Sequence, residues 1–109
     1  MKVLVKGLPA SSGRASGKAR VILPPTEGKR LEEGEILIAI ITDPTMFVDI
    51  IENAKAIVAD QGGLTSHPAI VARELGIPCV VGTQSATKVI SDGMKIIVDG
   101  DEGVVYESN

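Results

Sequence analysis

The chain has one histidine, His67, in the stretch GGLTSH, between a pair of glycines and a segment with the features of a helix start. A free histidine side chain has a pKa of about 6.5, so much of it is neutral near pH 7. A neutral ring nitrogen is a nucleophile that can accept a phosphoryl group and release it again, which is covalent catalysis in two steps. The first chemistry that this stretch suggests is therefore phosphoryl transfer through the imidazole.

The neighbours of His67 favour an anion beside the ring. Pro68 lacks an N–H and fits the first turn of a helix, so His67 lies at or next to the N-cap, and Ser66 or Thr65 could supply the capping oxygen. The first turn has free N–H groups and a partial positive charge. Gly62–Gly63 lets the backbone turn tightly and approach a ligand. Together these residues predict an anion site at the start of the helix.

Other interpretations of His67 remain open at this point. Arg73, six residues further on, is a tentative second contact for a phosphate. A lone histidine near a helix start is often only a cap or a solvated surface residue. A metal site is poorly supported, because there is no second histidine and Cys79 has no ligand partner at a suitable spacing. A Ser–His–Asp arrangement with Ser66 is disfavoured, because sequence neighbours rarely meet the geometry of a triad.

Continuous apolar runs on either side of the motif predict the strands that position it. Residues 36–41 (ILIAII), 56–60 (AIVAD) and 79–83 (CVVGT) have the composition of buried strands. The histidine motif directly follows the second run, so its loop should lie at the carboxyl end of a strand and lead into a helix. Open α/β sheets commonly place ligand sites there.

Two helices are predicted next to these strands. Thr42 or Asp43 can cap the first, with Pro44 in its first turn. Its amphipathic face is formed by Met46, Phe47, Ile50, Ile51 and Ala54. The second helix runs over 68–75, with Gly76 and Pro78 as its terminators. Asp43 and Asp60 are assigned to a cap and a strand end rather than to a metal.

The remaining segments complete a mixed α/β pattern. Short strands are predicted over 3–5 and 18–23, separated by a glycine- and serine-rich loop over 6–17. Residues 24–35 read as polar, exposed turns. The last strands, over 95–98 and 103–106, are joined by DGDEG as a hairpin with a solvated turn. The alternation predicts one α/β domain over residues 1–109.

Composition narrows the function classes. The chain of 109 residues has a net charge of −3 and no basic run, which argues against a nucleic-acid partner. Aromatic residues make up 2%, so the core must be aliphatic. The single cysteine excludes an internal disulfide and suits a reducing compartment. The apolar run at the start is too short for a signal peptide or a membrane span, and a cytoplasmic location is expected.

The segment GGLTSHPAIVARELGIPCVVGT (62–83) resembles the phosphohistidine signature of the phosphoenolpyruvate-utilising enzymes, which include phosphoenolpyruvate synthase, pyruvate phosphate dikinase and enzyme I of the sugar phosphotransferase system. Segments 36–63 and 7–22 also resemble the corresponding parts of that domain, so the resemblance covers nearly the whole chain. Pro68 departs from the pattern, which usually has Ala, Ser or Thr there, and it removes one N–H donor. The matching positions are Gly62, Gly63, Thr65, His67, Ala69, Ile70, Val71, Ala72 and Arg73.

The resemblance implies a three-layer β/β/α swivelling phosphohistidine domain. It implies that His67 is phosphorylated at Nε2, with Thr65 hydrogen-bonding near the ring or the phosphoryl group and the backbone of Gly62, Gly63 and Ser66 forming the phosphoryl loop. Whether Thr65 is itself phosphorylated, as the matching threonine is in plant-type dikinases, stays open. Such a domain is a kinase or dikinase component and would not complete a reaction alone.

The resemblance also implies partners. They are an ATP-grasp nucleotide-binding domain and a TIM-barrel domain that binds phosphoenolpyruvate or pyruvate, so ATP and Mg²⁺ are expected there and no cofactor or metal is expected within this chain. The chain could be an excised domain or a stand-alone carrier subunit. The alternatives are a non-catalytic module that binds an anion or a partner through the same loop, and a purely structural domain.

Overall fold

The computed structural model describes residues 1–108, which form eight strands and two α-helices. The strands are β1 (Lys2–Lys6), β2 (Leu8–Ser11), β3 (Arg14–Ile22), β4 (Ile36–Ala39), β5 (Ala56–Ala59), β6 (Cys79–Val81), β7 (Lys95–Asp99) and β8 (Val104–Glu107). The helices are α1 (His67–Leu75) and α2 (Ala86–Val89), and two short 3₁₀ helices cover Pro44–Met46 and Ile51–Asn53.

The strands are hydrogen-bonded in the order β1-β8-β7-β3-β4-β5-β6-β2. Strands β3, β4, β5 and β6 run parallel, and the other pairs are antiparallel. Strand β3 belongs to two sheets, because residues 14–18 pair with β7 and residues 19–22 pair with β4. The chain therefore forms one antiparallel layer (β1, β8, β7 and the start of β3) and one mostly parallel layer (the end of β3, then β4, β5, β6 and β2).

The alternation along β4 shows how the layers stack. Ile36 and Ile38 pack in one buried cluster with residues of the antiparallel layer, whereas Leu37 and Ala39 pack in a second cluster with the inner face of α1. All four are at most 1% exposed, as expected for a strand covered on both faces. The two clusters lie on either side of the parallel layer. The predicted three-layer β/β/α arrangement and the aliphatic core are confirmed.

The predicted strands all occur, but the glycine- and serine-rich segment over 6–17 is not a loop. It contains β2 and the first residues of β3. Gly7 makes the sharp passage from β1 to β2 possible, because a Cβ there would collide with the carbonyl oxygen of Val81. Its N–H donates to the carbonyl of Gly103 at 2.8 Å, so the backbone is held by strands that are distant in sequence. Helix α2 was also not predicted.

The predicted amphipathic helix after β4 is wrong beyond its first turn. Asp43 caps a 3₁₀ turn with Pro44 in its first turn, as predicted, but the chain leaves helical geometry at Ile50 (φ −123°). The carbonyl of Asp49 accepts the N–H of Leu31 from the preceding loop, which removes it from a helical hydrogen bond. The apolar periodicity is therefore satisfied by burial of Met46, Ile50, Ile51 and Ala54 without a continuous helix.

Among residues 1–108, no helix has the length and hydropathy that crossing a bilayer requires.

Candidate active site

The histidine loop connects the carboxyl end of β5 to the first residue of α1, as predicted from the sequence. Gly62 adopts φ +108°, and a Cβ at this position would lie 2.7 Å from Oγ of Ser66. A side chain is thus excluded by both backbone conformation and space. Gly82, which follows β6, approaches the same turn, since a Cβ there would lie 3.1 Å from the carbonyl oxygen of Gly62. The close approach of these backbones fixes the path of the loop into α1.

Ser66 is the N-cap residue of α1, but its side chain does not cap the helix. Its Oγ donates to the carbonyl of Gly63 at 2.7 Å, and its N–H donates to the same oxygen at 3.1 Å. The prediction that Ser66 or Thr65 supplies a capping oxygen is therefore wrong, because the Ser66 hydroxyl closes the turn instead; Thr65 is exposed. The first turn of α1 is left without a side-chain acceptor, which is what an anion site at a helix start requires.

The ring of His67 is half-buried and oriented by Thr42, whose Oγ1 lies 2.9 Å from Nδ1. Thr42 is 3% exposed and directly follows the run that contains β4, so its position is fixed by the sheet. In the tautomer that carries its proton on Nδ1, the ring donates to the Thr42 hydroxyl and leaves the lone pair on Nε2. The contact thus engages Nδ1, and Nε2 is the ring nitrogen that points away from Thr42.

Sequence reasoning considered Thr42 only as a helix cap. Residues 42 and 67 are 25 positions apart, and they meet because β4 and β5 are neighbouring parallel strands. The available signal was that both residues follow adjacent strands at the same sheet edge, but this does not specify which side chains touch.

Asp43 is the acidic group beside this pair. Its Oδ1 accepts the N–H of Thr45 at 2.9 Å and also the hydroxyl of the same residue. These hydrogen bonds hold the pKa of Asp43 below its usual value, and the charge of His67 lowers that pKa further. Asp43 is thus an exposed carboxylate with a fixed orientation, close enough to His67 for the ring to act on its ionisation.

Arg73 reaches back from the last turn of α1 to the histidine loop. Its guanidinium donates to the carbonyl of Leu64 at 2.6 Å and to the carbonyl of Ala10 in β2 at 2.7 Å. These bonds tie the loop to the edge of the parallel layer. The phosphate contact suggested for Arg73 stays a prediction, while its contacts in the structure are those of a residue that positions the loop.

Cys79 lies under the first turn of α1. Its thiol donates to the carbonyl of Pro68 at 3.8 Å, and burial raises the pKa of Cys79 to about 12. A thiol in this state is an inert core group rather than a nucleophile. Pro68 is also buried, so the residue that departs from the family pattern packs into the core and fits the helix geometry.

The other chemistries weighed for the sequence find no support among residues 1–108. Ser66 bonds to a carbonyl rather than to the His67 ring, so no nucleophilic serine is paired with the histidine. No group of three or more His, Cys, Asp or Glu side chains is arranged to hold a metal ion in this part of the chain. Asp60, at the end of β5, accepts the N–H of Thr87 at 2.9 Å and holds the start of α2, in agreement with its assignment to a strand end.

A histidine at the start of a helix, on the loop after a central strand, in a β/β/α arrangement defines a class of small α/β domains with one histidine at the carboxyl edge of the parallel layer. Residues 31–103 match the family described as PEP-utilising enzyme, mobile domain. The chain belongs to this family, and the resemblance found in the sequence is confirmed.

Named relatives agree with this membership. The chain is similar to a probable phosphoenolpyruvate synthase of Archaeoglobus fulgidus, with 56% identity over 106 residues, which cover 97% of this chain and 14% of the relative. It is 51% identical to the phosphoenolpyruvate synthase of Pyrococcus furiosus, over 97% of this chain and 13% of the relative. The chain thus spans about one seventh of the length of these relatives.

A solved structure gives the same fold. The solution structure of an Enzyme I protein superposes with a TM-score of 0.62 and 40% identity, over 72% of this chain and 32% of that chain.

Proposed function

We propose that the chain is a phosphocarrier domain in which His67 accepts a phosphoryl group at one site and donates it at another. The sites would be a nucleotide or phosphoenolpyruvate site and an acceptor site of a phosphotransferase that resembles phosphoenolpyruvate synthase or a dikinase. The observation that carries the proposal is the 2.9 Å contact between Thr42 Oγ1 and His67 Nδ1, on a ring at the uncapped start of α1. Since this contact engages Nδ1, Nε2 would be the reactive atom.

The step is a displacement at phosphorus. The Nε2 lone pair forms a bond to the phosphorus atom while the bond from phosphorus to the leaving oxygen breaks, and that oxygen takes the electron pair. The Nδ1–H stays hydrogen-bonded to Thr42 throughout, so the ring needs no general base. The phosphoryl oxygens would face the N–H groups of the loop and of the first turn of α1, where the helix favours negative charge. Pro68 removes one of these donors.

The size of the relatives supports the proposal that other domains bind the small molecules. This chain matches 13–14% of the two synthases compared above. We assign the nucleotide with Mg²⁺ to an ATP-grasp domain, and phosphoenolpyruvate or pyruvate to a TIM-barrel domain, either in the same polypeptide or in partner subunits. The chain would swivel between them as a carrier. The role of Thr65 near the phosphoryl group belongs to the same proposal.

The test is covalent labelling of the chain. Phosphoramidate, a small phosphoryl donor, and separately phosphoenolpyruvate with Mg²⁺ and the Pyrococcus furiosus synthase, are incubated with the wild-type chain and with His67→Ala. The chain of 11.3 kDa is easily separated by mass from the synthase. We expect one phosphoryl group, labile in acid and stable in base, with an N–P signal in phosphorus NMR that His67→Ala lacks.

Two results would contradict the proposal. One is label that persists in His67→Ala, and the other is a wild-type chain that neither donor labels. Saturable phosphate binding that shifts the ring signals of His67, with no N–P signal, would instead identify the anion-binding module that the sequence left as an alternative.

A further inference from the structure

His67 lines none of the five best-formed clefts of the described surface. A cleft of about 900 Å³ is lined by side chains of β3, of the loop over 28–32 and of the segment over 48–53. Four smaller clefts involve other segments, and none of the five includes His67 or a residue of the loop over 60–67. A phosphoryl donor held in a pocket must therefore bring its own concave site to the ring. Because the reacting atoms must approach to about 3–3.5 Å, the rim of that site must touch the surface around His67.

Three exposed apolar side chains belong to the segments that surround His67. Ile41 directly precedes Thr42, Leu64 lies in the histidine loop, and Ile70 is one turn after His67 on the same face of α1. They are 45%, 49% and 43% exposed. Exposed apolar side chains are ordinary when they are scattered singly, but a group of them marks an interaction site. We call Ile41, Leu64, Ile70 and the neighbouring carboxylate of Asp43 the His67 collar.

The charge of the collar complements a phosphate site. Asp43 is exposed, its carboxylate is fixed by Thr45, and the only charged side chain that acts on its ionisation among the described residues is His67. Arg73, the cation nearest along α1, is engaged with two backbone carbonyls. Protein sites that bind phosphates usually present Arg, Lys or Mg²⁺ to the phosphate oxygens. A cationic site with an apolar rim would therefore match both the apolar side chains and the negative charge of the collar.

We propose that the His67 collar is the docking surface for the phosphoryl-donor domain, and that this domain presents an apolar rim around a cationic phosphate site. The inference rests on the phosphocarrier function proposed above. The two synthases compared above are about seven times as long as this chain, which leaves ample polypeptide for such a domain. Apolar side chains at the centre of an interface carry most of the binding energy, and the single carboxylate contributes mainly orientation and association rate.

The experiment compares two donors on the same variants. Label transfer from phosphoenolpyruvate through the Pyrococcus furiosus synthase is measured against chain concentration, which gives kcat and KM for the chain as a substrate. Loading by phosphoramidate, which needs no docking, is measured in parallel and serves as the reference rate. The variants are Ile41→Ser, Leu64→Ser and Ile70→Ser. The control is Leu75→Ser, which alters an equally apolar side chain of α1 that is 40% exposed and two turns from His67.

We expect each collar variant to raise KM about tenfold over the wild type, because truncation of a central apolar contact weakens docking by this order. Both kcat and the rate of loading by phosphoramidate should change little. Asp43→Asn should raise KM about twofold to fivefold, and added salt should raise the KM of the wild type, as expected for an exposed charge pair. Leu75→Ser should match the wild type. Urea unfolding checks that each variant is folded.

The outcomes separate the two proposals. If neither phosphoramidate nor the synthase loads His67, the phosphocarrier function fails. If phosphoramidate loads His67 but the synthase shows no saturable transfer to the chain, or if Leu75→Ser raises KM as much as the collar variants, the docking surface is refuted while the carrier function stands. A Ser variant that does not fold is replaced by the matching Ala variant, for which the same increase in KM is required.

Discussion

The proposed chemistry depends most directly on the hydrogen bond between Thr42 and His67, and Thr42→Val tests the role of this bond. Valine has nearly the shape of threonine but no hydroxyl, so the 2.9 Å contact to Nδ1 is lost without a cavity. An unsatisfied buried donor costs about 1–3 kcal/mol. The ring is only half-buried, so water relieves part of this cost and a value in the lower half of the range, about 1.4 kcal/mol, is expected. In the proposed mechanism Nδ1–H donates to Thr42 and Nε2 stays free, so we expect the loss in the rate of loading, which falls about tenfold.

The assay is single-exponential loading of the chain by phosphoramidate, followed by mass spectrometry, together with nitrogen NMR of the ring. The wild type should show the proton on Nδ1, and Thr42→Val should show a shift toward the other tautomer. Thr42→Ser keeps the hydroxyl and is the matched control, so it should load close to the wild-type rate. Equal loading rates for the Val variant and the wild type, with the same tautomer in both, would refute the role assigned to this bond.

Two further predictions concern the support of the loop. Gly62→Ala introduces a side chain at φ +108°, with its Cβ 2.7 Å from Ser66 Oγ, and should lower the free energy of unfolding in urea by about 1–3 kcal/mol. The control is Gly63→Ala, which has no atom within 4 Å of the added carbon and should change the free energy of unfolding by less than about 0.5 kcal/mol. Equal effects of the two substitutions would contradict the role given to Gly62. The pKa of Cys79 is raised by burial from a usual value of 9.0 to about 12, so the thiol ionises first in the unfolded chain. The stabilising contribution of the protonated thiol is complete below pH 9 and is lost as the pH rises toward 12, by at most about 1.4 kcal/mol per pH unit. The stability of Cys79→Ala, measured by urea titration, should therefore fall less steeply with pH over this range than that of the wild type. Parallel pH dependences of the two proteins would contradict this prediction.

The buried strands were predictable because apolar residues cover both of their faces, so nearly every side chain in them is apolar. The run ILIAII is apolar on both faces, and β4 is covered on both, so composition alone identified it. The start of α1 was predictable for a similar reason, since Pro68 and the glycines before it restrict the backbone locally. Gly76 ends the helix at φ +71°, as its lack of a side chain suggested.

The failures at the predicted helix and at Thr42 involve contacts between distant segments, whereas the predicted Ser66 cap fails within its own turn. The amphipathic pattern after β4 suggested a helix, but the Leu31 N–H takes the Asp49 carbonyl, and this tertiary bond outweighs local periodicity. Ser66 had the right type and place for a cap, yet its hydroxyl bonds back to Gly63. Thr42, the hydrogen-bond partner of the His67 ring, comes from a different strand end and has no signature near His67.

The pairing of β1 with β8 also has a consequence for how the domain forms. Lys2 lies opposite Glu107, and Leu8 of β2 lies opposite Val81 of β6, so both outer strands of the combined sheet depend on residues far along the chain. Closing such long loops before any contact is gained slows folding, and domains of this contact order fold in milliseconds to seconds. During synthesis, β2 must wait for β6, and β1 must wait for β8, the last strand of this domain to be made. Strand β1 is therefore among the last elements to reach its native partner.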